Sequence, residues 1–148
     1  MGFPAPFISS GSASAFVILS AAQFQSATDD TLLATDSTTP TEKLRLTTET
    51  LSAGTYQLFW SVTARGANQS RLGLDLVQDP DGTPEELSEI TYSFYTNNSS
   101  DRYPLSGAAK VALAEGVHIF SINVSALTNN KLVSVYETRL FLAKVKED

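Results

Sequence analysis

The sequence contains one twelve-residue pattern twice, as Leu51-Ser-Ala-Gly-Thr-Tyr-Gln-Leu-Phe-Trp-Ser-Val62 and as Leu113-Ala-Glu-Gly-Val-His-Ile-Phe-Ser-Ile-Asn-Val124. Both follow L-x-x-G-x-(Y/H)-x-h-x-h-x-V, where h is a large apolar residue. Each segment predicts that one strand ends, a glycine turns the chain and a second strand begins. We expect positive backbone φ at Gly54 and Gly116. Tyr56 and His118 take equivalent positions beside the turn, on the side facing the core.

Alternating polarity extends outward from this repeat in both directions. The run Thr55–Arg65 places Tyr56, Leu58 and Trp60 on one face, which is the period of a half-buried strand. Similar runs, rich in β-branched and aromatic residues, occur at Lys43–Leu46, Arg71–Leu76, Glu89–Phe94, Ala109–Leu113, His118–Val124 and Leu132–Val145. Turn sequences separate these runs, and no helical periodicity competes. The pattern predicts an all-β protein, an antiparallel jelly-roll-like β-sandwich of about eight strands.

Length and composition bound the class of protein. The chain has 148 residues, of which 42% are hydrophobic and 18% charged, with no cysteine and a net charge of −6. These values are typical of one globular domain that folds without disulfides or zinc–thiolate sites. Binding to a nucleic-acid backbone requires clustered Lys and Arg, so the negative charge argues against nucleic acid as a partner.

Catalytic and cofactor motifs are missing from the sequence. His118 is the single histidine, and no Gly-x-Ser-x-Gly elbow accompanies it. Its repeat counterpart is Tyr56, so we interpret His118 as a polar cap at the turn rather than a general base. Asp79-Pro-Asp-Gly82 reads as a turn with proline at its second position, although Asp79 and Asp81 leave a Ca²⁺ site open. We expect no enzyme activity, no cofactor and no resident metal.

The first fourteen residues form an uncharged segment that differs from the rest. Met1–Ser14 contains Phe3, Pro4, Phe7 and Ile8, and its prolines disfavour helix. We interpret residues 1–14 as an extended arm that docks on a neighbouring protein, with a disordered end as the alternative, and residues 15–148 as the sandwich domain. The apolar run that begins at Ala15 lacks a preceding basic residue and is too short to span a bilayer, so we expect no membrane segment.

Several aromatic side chains are candidates for contact with partners. Phe59 and Phe141 lie on the face opposite the core residues of their strands, which predicts a subunit interface. Tyr95 and Tyr103 flank a polar loop with Arg102, and we expect these three on the surface. Exposed tyrosines beside Asn and Arg suit a protein contact or a sugar, and the sequence leaves both open.

The two glycine corners, together with the closing strand Glu137-Thr-Arg-Leu-Phe-Leu-Ala-Lys-Val145, resemble small jelly-roll proteins of tailed-phage virions. This family includes capsid decoration (cement) proteins and fibre modules, similar in fold to the trimeric heads of the tumour-necrosis-factor and complement-globular superfamily. The resemblance implies a homotrimer with its last strand near the threefold axis, bound to major capsid or other virion proteins. It implies synthesis in the host cytoplasm and location on the capsid or tail. A fibre or carbohydrate-binding module for host-surface glycans is the alternative.

Overall fold

The computed structural model describes residues 24–95 and 100–147, and these form nine β-strands. The strands are β1 (Phe24–Asp29), β2 (Leu33–Thr35), β3 (Thr41–Thr47), β4 (Gly54–Gly66), β5 (Arg71–Gln78), β6 (Glu85–Ser93), β7 (Tyr103–Leu113), β8 (Ile119–Ala126) and β9 (Val133–Glu147). None of the described residues forms a helix that could span a bilayer.

The strands build two antiparallel sheets. The front sheet has the order β1-β9-β4-β7, with β2 also paired to β9, and the back sheet has the order β3-β8-β5-β6. Neighbours in each sheet are mostly distant in sequence, as the crossed connections of a jelly roll require. The predicted all-β, antiparallel jelly-roll sandwich is confirmed. Each of the seven alternating runs overlaps a strand, while β1 and β2 are additional.

The core lies between the two sheets and follows the alternation of the strands. Tyr56, Leu58 and Trp60 of β4 face the back sheet and are buried, as their spacing predicts. Other large core side chains come from both sheets, among them Leu72, Leu74, Leu76, Phe120, Ile122, Val124, Leu140 and Leu142. This alternation leaves the odd-numbered positions of β4 pointing away from the core, where they form an outer face.

The repeated glycine corners have matching hydrogen bonds. The Tyr56 hydroxyl donates to the Ser52 carbonyl at 2.8 Å, and His118 Nε2 donates to the Ala114 carbonyl, also at 2.8 Å. In both cases the acceptor precedes the donor by four residues, so the two rings close equivalent corners with the same kind of hydrogen bond. The only histidine is therefore accounted for by the corner, as the repeat predicts.

The two corner glycines are needed for different reasons. Gly116 has φ of 144°, and its backbone pairs with Leu51 through bonds of 2.8 and 3.0 Å. The expectation of positive φ is wrong for Gly54, which is not among the positive-φ residues. A Cβ there would lie 2.5 Å from both the Lys146 carbonyl oxygen and Lys144 Cε. Gly54 is thus required by close packing and not by backbone conformation.

Candidate interface on the outer face of the front sheet

The outer face of the front sheet carries a row of phenylalanine side chains. Phe59 of β4 pairs directly with Phe141 of β9, and Ser26 and Ala108 continue this row on either side. Phe24 stacks on Phe141 with ring centroids 6.1 Å apart. We call Phe24, Phe59 and Phe141 the phenylalanine row. Phe24 and Phe59 are 44% and 50% exposed. Neighbouring large apolar side chains that are exposed to water are typical of a surface that another protein covers.

Small residues surround the phenylalanine row and leave a shallow depression beside it. The depression has a volume of about 440 Å³ and is lined by Phe59, Trp60, Ser61, Ser106, Gly107, Ala108 and Phe141. A second side chain or sheet edge could enter it without displacing a long polar residue. Phe59 and Phe141 therefore lie on the outward face that their alternation predicts, and their role as a subunit interface stays a prediction.

One end of the same face is basic. Arg65 ends the outward row of β4, Arg102 directly precedes β7, and Tyr136 belongs to β9. The Arg102 guanidinium carbon lies 4.3 Å from the Tyr136 ring centroid, and that of Arg65 lies 5.8 Å from it. Both distances fall within the range of cation–π contacts. We call Arg65, Arg102 and Tyr136 the arginine–tyrosine cluster. Sequence reasoning singled out Arg102 but missed the other two.

Tyr136 reaches this face because β9 contains a bulge. Glu137 has φ of 46°, and the register slips here, so that Tyr136 pairs with Thr63 and Arg139 with Ser61. If the side chains of β9 alternated without interruption from the outward-facing Phe141, Tyr136 would point into the core. A positive φ at a residue other than glycine is uncommon, and a bulge can reverse the direction of later side chains.

The two loop tyrosines have different surroundings. Tyr95 is 80% exposed, as expected of a surface contact. Tyr103 is different, because it pairs with Ala64 on the inward-facing row of β7. Its ring centroid lies 5.6 Å from that of Tyr92 and 5.7 Å from that of Phe94. Tyr103 is therefore partly buried, with its ring in the aromatic packing at this end of the core, and its role as a surface contact stays a prediction.

The acidic turn is held by an arginine. The Gly82 amide donates to the Asp79 carbonyl at 3.1 Å, which makes the predicted turn, and the Asp81 carboxylate forms an ion pair with Arg45. The pKa of Asp81 is lowered by this hydrogen bond. Because Arg45 also binds Glu42, the Asp81 carboxylate serves a local charge network. A Ca²⁺ site at Asp79 and Asp81 finds no support in this geometry.

A group of three carboxylates lies instead on the outer face of the back sheet. Oxygens of Asp75, Glu86 and Glu89 lie within 4.8 Å of one another, an arrangement that could hold a cation. Burial, together with the charges of Glu86 and Glu89, raises the pKa of Asp75 from 3.8 to about 6. Sequence reasoning missed the group, because its assembly depends on the pairing of Asp75 with Glu89 and of Val77 with Glu86.

We expect Asp75→Asn to stabilise the protein at pH 8. The raised pKa means that the folded state holds a proton more tightly than the unfolded chain, so stability falls as pH rises from about 4 to 6. Removing this charge should raise the free energy of unfolding at pH 8 by on the order of 1 kcal/mol, once solvent screening is allowed for. This gain corresponds to an increase of about 3 °C in Tm. Thermal melts at pH 4 and pH 8 measure the effect, with the exposed Asp36→Asn as control. An equal gain in both variants at pH 8 would contradict the mechanism.

Comparisons with known proteins bear on the fold alone. No protein-family model and no curated protein matches the chain. Among solved structures, it is similar to Eiger TNF from S. frugiperda, with 13% identity, a TM-score of 0.58, and coverage of 85% of this chain and 95% of that one. It is also similar to murine APRIL at pH 8.0, with 13% identity, a TM-score of 0.55, and coverage of 83% and 98%. The chain therefore has a TNF-like jelly-roll fold.

Proposed function

We propose that this protein is a structural, non-enzymatic assembly module: a homotrimer that decorates and stabilises a virion, as a capsid decoration (cement) protein does. The proposal that the protein assembles into a trimer is based on the phenylalanine row. Phe59 and Phe141 are paired on two central strands of the front sheet and face away from the core. Covering half-exposed phenylalanines contributes on the order of 1 kcal/mol each, and a closed ring of three subunits repeats that gain.

The virion part of the proposal is supported by the sequence resemblance and by the uncharged arm. Phe3, Pro4, Phe7 and Ile8 lie outside the described residues, as does the proposed boundary between residues 14 and 15. In the proposal, this arm anchors each subunit on capsid or other virion proteins after synthesis in the host cytoplasm. Binding to the assembled state alone stabilises a particle by about 2.7 kcal/mol for each site at a hundredfold excess over Kd. Three linked arms add avidity.

Substitution of Phe141 by glutamate tests the assembly. We expect the wild-type protein to have three times the 15.9 kDa chain mass by light scattering, and Phe141→Glu to be a folded monomer, because a carboxylate cannot be buried against Phe24 and Phe59. Thr91→Glu is the matched control, since Thr91 is an exposed residue of β6 on the back sheet.

Two outcomes would contradict this proposal in different ways. A wild-type protein that stays monomeric at every concentration would rule out an intrinsic trimer. An unchanged oligomer in Phe141→Glu would remove the phenylalanine row from the interface. Circular dichroism of each variant separates loss of assembly from loss of fold.

The second candidate function is recognition of host-surface glycans by a fibre-type module. It is favoured by the arginine–tyrosine cluster, together with the exposed Tyr95 at the same end of the sandwich. Charged and aromatic side chains around a small cavity are the usual components of a site that orients a polar ligand. This candidate is compatible with a trimer, because the cluster and the phenylalanine row occupy different parts of the outer face.

A further inference from the structure

The arginine–tyrosine cluster brings two guanidinium groups to one tyrosine ring. Both guanidinium groups lie within 6 Å of the Tyr136 ring centroid, so two like charges are held near one another. Across residues 24–95 and 100–147, neither Arg65 nor Arg102 has a salt bridge to a carboxylate. An anion bound between the two would offset their mutual repulsion.

Two small depressions meet at Arg65. The first, about 140 Å³, is lined by Asp30, Leu32, Arg65, Arg102 and Tyr136. The second, about 220 Å³, is lined by Arg65, Gly66, Ala67, Ser100, Leu132 and Ser134. The first depression thus has two guanidinium groups in its wall, and the second shares Arg65 and adds small and polar residues and one leucine.

The remaining polar groups of the first depression do not neutralise it. Asp30 is the acid in its wall, and the Asp30 carboxylate is bound by Arg139, a third arginine. The Tyr136 hydroxyl is buried and has no hydrogen-bond partner in the described part of the chain. An unpartnered buried hydroxyl costs about 1–3 kcal/mol, so Tyr136 keeps an unused hydrogen-bond donor beneath the two arginines.

We propose that this end of the front sheet binds the carboxylate of an acidic sugar, of the uronic or sialic acid type. Arg65 and Arg102 would hold the carboxylate by charge-assisted hydrogen bonds, since planar guanidinium groups match carboxylate geometry. A neighbouring sugar would occupy the second depression, where Ser134 and the backbone meet hydroxyl groups and Leu132 meets the apolar face of a pyranose. The inference rests on the second candidate function and does not require trimerisation.

An acidic peptide is the competing ligand, and the geometry favours the sugar. The two depressions are small and adjacent, like two linked monosaccharides. A peptide side chain would fill the first depression and leave the polar second one empty. The shared chemistry is the carboxylate, so a test must separate its two sources.

Titration with D-glucuronate and D-glucose, followed by amide NMR shifts, tests the proposal with two sugars that differ in the carboxylate. We expect glucuronate to shift amides around Arg65, Arg102 and Leu132 with a dissociation constant on the order of 1 mM, and glucose to shift them little. N-acetylneuraminate should act like glucuronate. Arg65→Met and Arg102→Met should each weaken binding on the order of tenfold. The exposed Arg71→Met, on the back sheet, should leave binding unchanged.

Three results would overturn the proposal. Equal shifts with glucose would remove the carboxylate from recognition. Equal affinity for inorganic sulfate would make the cluster a plain anion site, and tighter binding of N-acetylglutamate amide would assign it to an acidic protein segment. Light scattering on the Arg65→Met and Arg102→Met variants should give the wild-type mass, which keeps this outcome separate from the assembly proposal.

Discussion

Replacing Asp29 with alanine is expected to lower the free energy of unfolding by about 3 kcal/mol, since it leaves a buried lysine without its counter-charge. The Lys43 side chain is 1% exposed, and its Nζ lies 3.0 Å from Asp29 Oδ2. Nζ also donates to the Thr31 carbonyl at 2.6 Å and the Asp29 carbonyl at 3.3 Å. These neutral acceptors remain in the variant, so the loss should fall at the low end of the range for a broken buried pair.

The same pair predicts a loss of stability in acid. Hydrogen bonds from Thr31 and Lys43 lower the pKa of Asp29 from 3.8 to about 2. A lowered folded-state pKa gives stability that is present above about pH 4 and lost as pH falls towards 2. Urea unfolding at pH 7 and at pH 2 should therefore show a smaller difference between wild type and Asp29→Ala in acid.

A double variant separates the charge from packing. Lys43→Met removes the buried ammonium, so Asp29→Ala should cost much less in the Lys43→Met background than in wild type. The exposed Asp36→Ala provides a control for loss of any acidic side chain. An equal cost of Asp29→Ala in both backgrounds would show that Lys43 is not the reason for its effect.

Local alternation explains which parts of this fold the sequence predicts. In β4, every second side chain from Tyr56 to Ala64 is apolar, so neither the core face nor the outward position of Phe59 needs a partner strand to be known. The corner repeat is equally local, because each ring bonds a carbonyl four residues earlier. By contrast, β1 reads Phe-Gln-Ser-Ala-Thr-Asp, which is too polar to be separated from a loop.

The arginine–tyrosine cluster shows why much of the site could not be predicted. Its members come from three segments that are distant in sequence and meet through strand register. Tyr136 adds a second difficulty, because the bulge at Glu137 reverses its direction. Tyr103 shows a related difficulty: the residues before it in sequence, Asp101 and Arg102, are polar, whereas its neighbours in space include Tyr92 and Phe94.

Gly107→Ala is expected to destabilise the protein by about 2 kcal/mol, because the added methyl group meets a buried indole. A Cβ at Gly107 would lie 2.6 Å from Trp60 Cζ2 and 2.9 Å from Nε1. Trp60 is 2% exposed in the core, so its rigid ring has little room to move aside. The loss should be measured as a shift in the urea midpoint at constant slope.

Gly82→Ala is the matched control for this substitution, since a Cβ there meets nothing within 4 Å. We expect the stability of Gly82→Ala to change little. The difference between the two variants therefore measures the steric conflict, apart from the effect that any Gly→Ala substitution has on the unfolded chain. Trp60→Leu, which removes the ring, should make Gly107→Ala nearly neutral in that background. Two results would contradict this explanation: an equal loss of stability for Gly107→Ala with and without the indole, or a loss no larger than that of Gly82→Ala. Either would show that β7 adjusts around the methyl group and that Trp60 does not fix the distance between β7 and β4.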